Sequence, residues 1–159
     1  VLERLLHLAE STPAGLERAL SGLASPDCQW RASHPMNEMT GNAAAAARIW
    51  GPLQAAFPDI ERRDSILVAG RYRQETLVAA IGHYCGTMKQ DWLGIPATGK
   101  TVFLRYGEVW QIGPDCRAVQ ASVIWDILDV MRQAGYGRSA PREGSRGCGP
   151  ARSPPTACG

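Results

Sequence analysis

Apolar residues recur at helical spacing through the first third of the chain and at alternate positions through most of the rest. In residues 1–10 (VLERLLHLAE), Leu2, Leu5, Leu6 and Leu8 fall on one side of a prospective helix. Ser11-Thr12-Pro13 marks a break and a fresh helix start, with proline at or near the first turn. The spacing of Leu16, Leu20 and Leu23 predicts a second helix over about 13–24. Ser25-Pro26-Asp27 reads as a turn. Cys28–Ser33 reads as a short strand with Trp30 inward, ended by His34-Pro35. Asn42 suits the N-cap of a third helix. In it Ala43–Ala47 favours helix, Ile49, Trp50, Leu53 and Phe57 form the buried face, and Pro52 should kink or restart the helix.

From residue 60 the pattern changes. Ile60–Val68 reads as a strand with Gly70 near a turn, and Leu77–Thr87 as a strand apolar on both faces. Trp92–Gly99 (WLGIPATG) is a tight loop, Thr101–Ile112 a long strand, and Gly113-Pro114-Asp115 a hairpin turn. Residues 118–125 form the last strand, which runs into a helix over 127–134 with Asp126 at the joint. Helices first, then mostly antiparallel strands, then a closing helix is an α+β order rather than an alternating one. Strands apolar on both faces need both faces covered. The helices cover one, and a second copy of the chain on the other makes a homodimer through the sheet the expected assembly.

The 159 residues suit one domain, taken as 1–135. Residues 136–159 are rich in Gly, Pro, Ser and Arg with almost no large apolar side chain, and read as a poorly ordered tail. The formal charge of +2 and the lack of a basic run give no argument for nucleic acid. Two lysines against fifteen arginines suggest GC-rich coding and a bacterial source. Five cysteines without a C-x-x-C pair fit reduced thiols and a cytoplasmic location. No apolar run approaches the roughly 20 residues of a membrane span, so no membrane partner is expected.

The residue of greatest chemical interest is Asp126, a carboxylate at the end of an apolar strand. It is either the N-cap of the closing helix or an acid/base group in an apolar cavity. Alternation on strand 101–112 puts Glu108 on one face with Val102, Leu104, Tyr106 and Trp110, and Arg105 on the other. Glu108 is thus either ion-paired or a pocket carboxylate beside Asp126, where one of the two could hold a raised pKa. Gln120, Ser122 and Ile124 share the side of Asp126 and would give a cavity its polar lining. His34 follows a short strand, and His83 and Tyr84 must point to opposite faces. His7, His34 and His83 have no metal-ligand spacing. No nucleophile elbow or phosphate loop is present.

Several motifs together resemble the SnoaL-like polyketide cyclase family, within the nuclear-transport-factor-two-like, ketosteroid-isomerase-like superfamily. They are His34-Pro35 with Gly41, Pro52-Leu53 with Ala56-Phe57-Pro58-Asp59, and Gly82-His83-Tyr84-Cys85-Gly86. They continue with Trp92-Leu93-Gly94-Ile95-Pro96-Ala97-Thr98-Gly99, and with Trp125-Asp126, Leu128 and Met131-Arg132-Gln133-Ala134-Gly135. The match spans roughly residues 14–135. The resemblance implies a cone-shaped α+β barrel, helices over a curved sheet enclosing a deep apolar pocket, with a dimer and no cofactor. It implies that Asp126 is the acid/base residue of an aldol ring closure. Tyr84 stands where many members have a histidine, so Tyr84 or His34 would substitute; Ser122 stands where many carry an aromatic. The resulting expectation is a cofactor-independent enzyme for a small hydrophobic carbonyl compound. Asp126, Glu108, Tyr84 and His34 would be catalytic, with Trp30, Trp50, Trp92, Tyr106, Trp110 and Ser122 around the ligand and loop 92–99 near the mouth. Related barrels hydrolyse epoxides with an acid-arginine-acid cluster, against which the outward placement of Arg105 counts. Others in the superfamily are binding or dimerisation modules, since fold does not fix function.

Overall fold

The computed structural model describes Leu8, Ser11 and residues 15–136. Apart from Leu8 and Tyr136, the helix expected over 1–10 and the tail expected over 136–159 lie outside the described residues.

Helix α1 (Leu16–Leu23) buries the predicted stripe of Leu16, Leu20 and Leu23. It runs straight into β1 (Ala24–Ala32), so the expected turn at Ser25-Pro26-Asp27 lies inside a strand. The pairing of β1 with the last strand is irregular between Ala24 and Gln29. Pro26 sits in that interval, where its missing N–H costs no ladder bond. A short edge strand, β2 (Glu38–Thr40), of which the pattern gives no sign, pairs antiparallel with β1.

The central helical stretch starts with α2 (Asn42–Ala45), widens to a π turn (Ala46–Trp50) and ends with α3 (Gly51–Ala56). Gly41, with φ 88, is the cap in place of Asn42, whose side chain donates instead to the Ala24 carbonyl at 3.2 Å. Pro52 does not break the stretch. The wide turn just ahead of it relieves the clash of its ring with the carbonyl one turn back. Gly51 belongs to the same arrangement, because a Cβ there would lie 2.7 Å from the Ala46 carbonyl oxygen.

Four long strands follow: β3 (Glu61–Tyr72), β4 (Glu75–Thr87), β5 (Thr101–Ile112) and β6 (Ala118–Trp125), then helix α4 (Ile127–Gln133). The turn expected near Gly70 is made instead by Arg73-Gln74, both with positive φ (47° and 71°), as a two-residue hairpin requires. The sheet has six strands in the order β2-β1-β6-β5-β4-β3 and is not closed. Every neighbouring pair is antiparallel except β1 and β6. The result is the expected α+β architecture, with one hydrophobic core from Leu8 to Val130.

Alternation on β5 holds as read: Val102, Leu104, Tyr106, Glu108 and Trp110 are buried, while Phe103, Arg105 and Val109 are exposed. On β6 it is the odd positions that face the core. Val123 pairs with Glu108 and Trp125 with Tyr106, both inward, and paired residues share a face. Ser122 therefore lies on the outer face, beside Ile124, which is 66% exposed, and it lines no inner pocket.

Candidate active site

Two features of the inner face and its rim carry chemistry. The first is a buried polar cluster built from three strands. Arg62 on β3 donates to Glu108 on β5 at 2.9 Å and to the Tyr84 hydroxyl on β4 at 3.0 Å. It also donates to Asp64, at 2.9 Å from Nη2 and 3.2 Å from Nε. Tyr84 donates to the other oxygen of Glu108 at 2.8 Å, Trp110 to Glu108 at 3.3 Å, and Tyr106 to Asp64 at 2.5 Å. The Arg62 guanidinium also lies over the Tyr106 ring, 4.5 Å from its centroid. The Arg62 and Glu108 side chains are 1% and 0% exposed, whereas that of Asp64 keeps 14%.

The electrostatics follow from burial and pairing. Burial and the neighbouring Glu108 push the Tyr84 phenol well above its ordinary value. Burial and the hydrogen bond to Asp64 push Tyr106 the same way. Both phenols therefore stay protonated and act as donors. Burial alone would lower Arg62, but the Glu108 charge and the hydrogen bonds to Asp64 and Glu108 outweigh it, and the guanidinium is held charged. Burial raises Asp64, yet the hydrogen bonds from Arg62 and Tyr106 and the Arg62 charge outweigh it, so Asp64 sits below the usual carboxylate range.

The second feature is a cavity of about 540 Å³ at one end of the sheet. Its walls are Leu93, Gly94 and Ile95 from the 92–95 turn, Trp125, and Ile127, Leu128 and Met131 from the closing helix, with Ser33, His34, Pro35, Asp126 and Tyr136 completing the lining. The cis His34-Pro35 peptide carries the chain around this end. The Ser33 hydroxyl accepts from the Trp125 N–H at 2.8 Å and so ties the first strand to the last.

His34 and Asp126 both line this cavity, and the 92–95 turn lies at its wall. Glu108 and Tyr84 do not join them. Asp126 is the N-cap of α4, accepting from the Asp129 N–H at 3.0 Å, and its other oxygen accepts from Arg105 at 2.6 Å. Arg105 is on the outer face of the sheet, so the shared Asp126–Glu108 pocket expected from sequence does not form: alternation sends the two carboxylates to opposite sides. The expected ligand walls also differ. Trp30, Trp50, Trp92, Tyr106 and Trp110 are packed into the core, with Trp30 edge-on to Trp110 at 5.4 Å. Trp125, on the other side of β6 from Ser122, is the indole that lines the cavity, and its ring neighbours those of Tyr84 (6.1 Å), Trp50 (5.5 Å) and Trp92 (5.8 Å). The cluster residues missed from sequence are Arg62 and Asp64. Their i, i+2 spacing, on the side of buried Ile60, was the available signal.

Burial, together with the nearby Asp27 carboxylate, pushes the Cys28 thiol up to about 12 and leaves it unreactive. Among the described residues no group of three His, Cys, Asp or Glu side chains could hold a metal ion, and no helix is long and apolar enough to cross a membrane.

No protein-family model matches the chain, and no curated protein sequence does. Solved structures do match. A candidate SnoaL-like polyketide cyclase from Jannaschia sp. CCS1 aligns at 20% identity and TM-score 0.64, over 82% of this chain and 88% of its own. IdmH, a candidate polyketide cyclase from Streptomyces antibioticus, aligns at 21% and TM-score 0.68, over 84% and 97%. AclR, a candidate hydroxylase from Streptomyces galilaeus, aligns at 19% and TM-score 0.64, over 89% and 86%. The chain has the SnoaL-like, NTF2-like α+β fold. At these identities the likeness establishes the fold and leaves the reaction to the site.

Proposed function

We propose that this protein is a cofactor-independent enzyme of the polyketide cyclase/isomerase kind, using acid/base chemistry on a small hydrophobic carbonyl compound. The observation that carries this is the 540 Å³ cavity with largely apolar walls, where His34 and Asp126 come together from opposite ends of the chain. His34 takes the proton next to the substrate carbonyl. Asp126, held in place by Arg105 and the Asp129 N–H, lies on the same lining as a second polar group for the ligand. The candidate-cyclase names of the structural neighbours point the same way. The test is solvent deuterium exchange at the activated carbon of a cyclic 1,3-diketone. His34→Ala and Asp126→Asn should each remove exchange while leaving the fold intact, since Asn caps a helix as well as Asp. Exchange that survives both substitutions refutes the reading. Ligand stabilisation with no exchange in the unsubstituted protein would make it a binding module.

One observation favours a second reading. Arg62 lies between Asp64 and Glu108, which is the acid-arginine-acid arrangement that hydrolytic opening of an epoxide calls for and that Arg105 could not supply. Turnover of styrene oxide that survives His34→Ala and is lost in Asp64→Asn would select it. We also propose that the chain pairs with a copy of itself through the outer face of the sheet. Ile66, Ile81 and Ile124 are each more than half exposed there and lie in one row across the strands, joined by Gly107.

A further inference from the structure

Helix α4 makes much of the cavity wall and is itself lightly packed. Ile127, Leu128 and Met131 are wall residues, and Asp126 and Tyr136 at either side of the helix also line the cavity. Of its seven residues Val130 is the one that is buried; Ile127 and Met131 are partly so, and Leu128 is 77% exposed. A helix this short does not stand by propensity alone. Both of its ends are fastened to β5. At the first, the Asp126 N–H donates to the Arg105 carbonyl at 3.0 Å, and the carboxylate accepts from the Arg105 side chain. At the second, the Gln133 amide does what a neighbouring strand would do. The pairing of β6 with β5 ends at Trp125 opposite Tyr106. Beyond that rung Gln133 Oε1 accepts from the Phe103 N–H at 2.9 Å, and its Nε2 donates to the Phe103 carbonyl at 2.7 Å. The same nitrogen donates to Asp129 at 2.9 Å, which orients the amide. Gly135, at φ 97, then turns the chain, and the Tyr136 N–H donates to the Met131 carbonyl at 2.9 Å.

We infer that α4 is a moving wall of the cavity: it swings about the Asp126 joint, and Gln133 is the latch that holds its far end against β5. With the latch made, Ile127, Leu128 and Met131 complete the lining. With it broken, they move away together and a ligand enters or leaves. Two neutral hydrogen bonds at an exposed edge open at far less cost than the sheet unfolds. Phe103 is 45% exposed, so its freed N–H and carbonyl pass to water and the open form strands no buried polar group. The backbone bond from Asp126 to Arg105 lies at the pivot and survives the swing. The inference rests on the cavity being the ligand site of the proposed enzyme and assigns the route into it.

The first measurement needs no ligand. Amide hydrogen exchange of the full chain, followed by NMR, should give one common protection for the Phe103, Val130, Ala134 and Tyr136 N–H groups, whose acceptors are Gln133, Asp126, Val130 and Met131. That protection should be at least roughly 100-fold below that of the mid-strand amides of β4 and β5. Gln133→Leu keeps the side chain's bulk and removes both bonds to Phe103. It should speed exchange at all four amides by about 5- to 100-fold, the effect of two neutral hydrogen bonds. The second measurement is binding of N-phenyl-1-naphthylamine, read in stopped flow by energy transfer from tryptophan. A latch predicts that Gln133→Leu speeds association and dissociation by one factor and leaves the affinity unchanged. A side chain that merely supports the wall would lose affinity through dissociation alone. If the variant fails to fold, the unsubstituted protein decides, because saturating probe should slow the four amides by one common factor. Protection that differs among the four or equals that of the mid-strand amides would overturn the inference. So would exchange unmoved by Gln133→Leu, affinity lost through dissociation alone, or no binding of the probe. Binding needs no turnover, so the outcomes separate. A protein whose latch times probe entry but which exchanges no proton on the diketone fails the proposed chemistry and keeps the moving wall. Proton exchange on the diketone with α4 as protected as the strands does the reverse.

Discussion

Replacing Arg62 by Met tests whether the buried cluster is a coupled ionic unit. Among the described residues, Arg62 is the cationic partner of Glu108, and with Tyr106 it holds Asp64. Methionine keeps the side chain's bulk and removes the charge, leaving Glu108, at 0% side-chain exposure, with the Tyr84 and Trp110 donors among the described residues. Removing one partner of a buried pair typically costs about 3–5 kcal/mol, because the other charge stays buried and uncompensated. For a chain of this length that is a fall in Tm of about 6–20 °C at roughly 2–4 °C per kcal/mol. Glu108→Gln added to Arg62→Met removes the stranded charge and keeps an acceptor for Tyr84. The double variant should therefore recover most of the loss, with a coupling energy of about 2 kcal/mol or more. Urea unfolding followed by tryptophan fluorescence, checked by far-ultraviolet circular dichroism, measures all four corners of the cycle. An Arg62→Met cost below about 1 kcal/mol, the range of exposed pairs, would refute the reasoning, as would simple additivity in the double variant.

The acid limb of stability gives a second check. Asp64 has a folded-state pKa depressed below its ordinary 3.8, so its contribution is complete above the unfolded value and is lost as pH falls through the folded one. Thermal unfolding from about pH 5 towards pH 2 should show a steeper loss below pH 4 in the unsubstituted protein than in Asp64→Asn; parallel curves would contradict the assignment. For the outer face, Ile124→Glu should convert a dimer to a monomer in sedimentation or light scattering with little change in Tm. A protein that is monomeric before substitution would remove the sheet-face pairing.

How much of this was legible in the sequence varies along the chain for physical reasons. Strands β5 and β6 and helix α4 follow from the pattern almost residue for residue, because each has one face in the core and the period shows. The central helix was harder. Pro52 signals a kink, but whether the chain breaks or absorbs the proline in a wide turn depends on Gly51, and a single glycine does not announce its neighbours. Strand β2 has three residues and no period to read. For the candidate site, His34 and Asp126 both line one cavity, while Glu108 and Tyr84 lie in the buried cluster. The inner face of β6 was assigned wrongly because Asp126 was taken as an inward residue and the alternation counted back from it. Asp126 does share the side of Ser122 and Ile124, but that side is the outer one, where its carboxylate meets Arg105. Arg62 and Asp64 passed unnoticed because an Arg–Asp pair at alternate positions of a strand usually marks a solvated face. Only the pairing with β4 and β5 turns that face inward.

That pairing explains the glycine at the start of Gly82-His83-Tyr84-Cys85-Gly86. A Cβ on Gly82 would meet the Arg63 carbonyl oxygen and would lie 2.7 Å from the Tyr106 hydroxyl. The strand pairing is irregular at this same point, between Asp64 and Ile66. The bare backbone at Gly82 lets the Tyr106 hydroxyl reach Asp64 beside it, two residues ahead of the Tyr84 that binds Glu108. One glycine thus serves the polar cluster on its inner side, while His83 packs against Phe103 on the outer side. Trp125 adjoins both candidate centres, its ring 6.1 Å from that of Tyr84 and on the lining of the cavity.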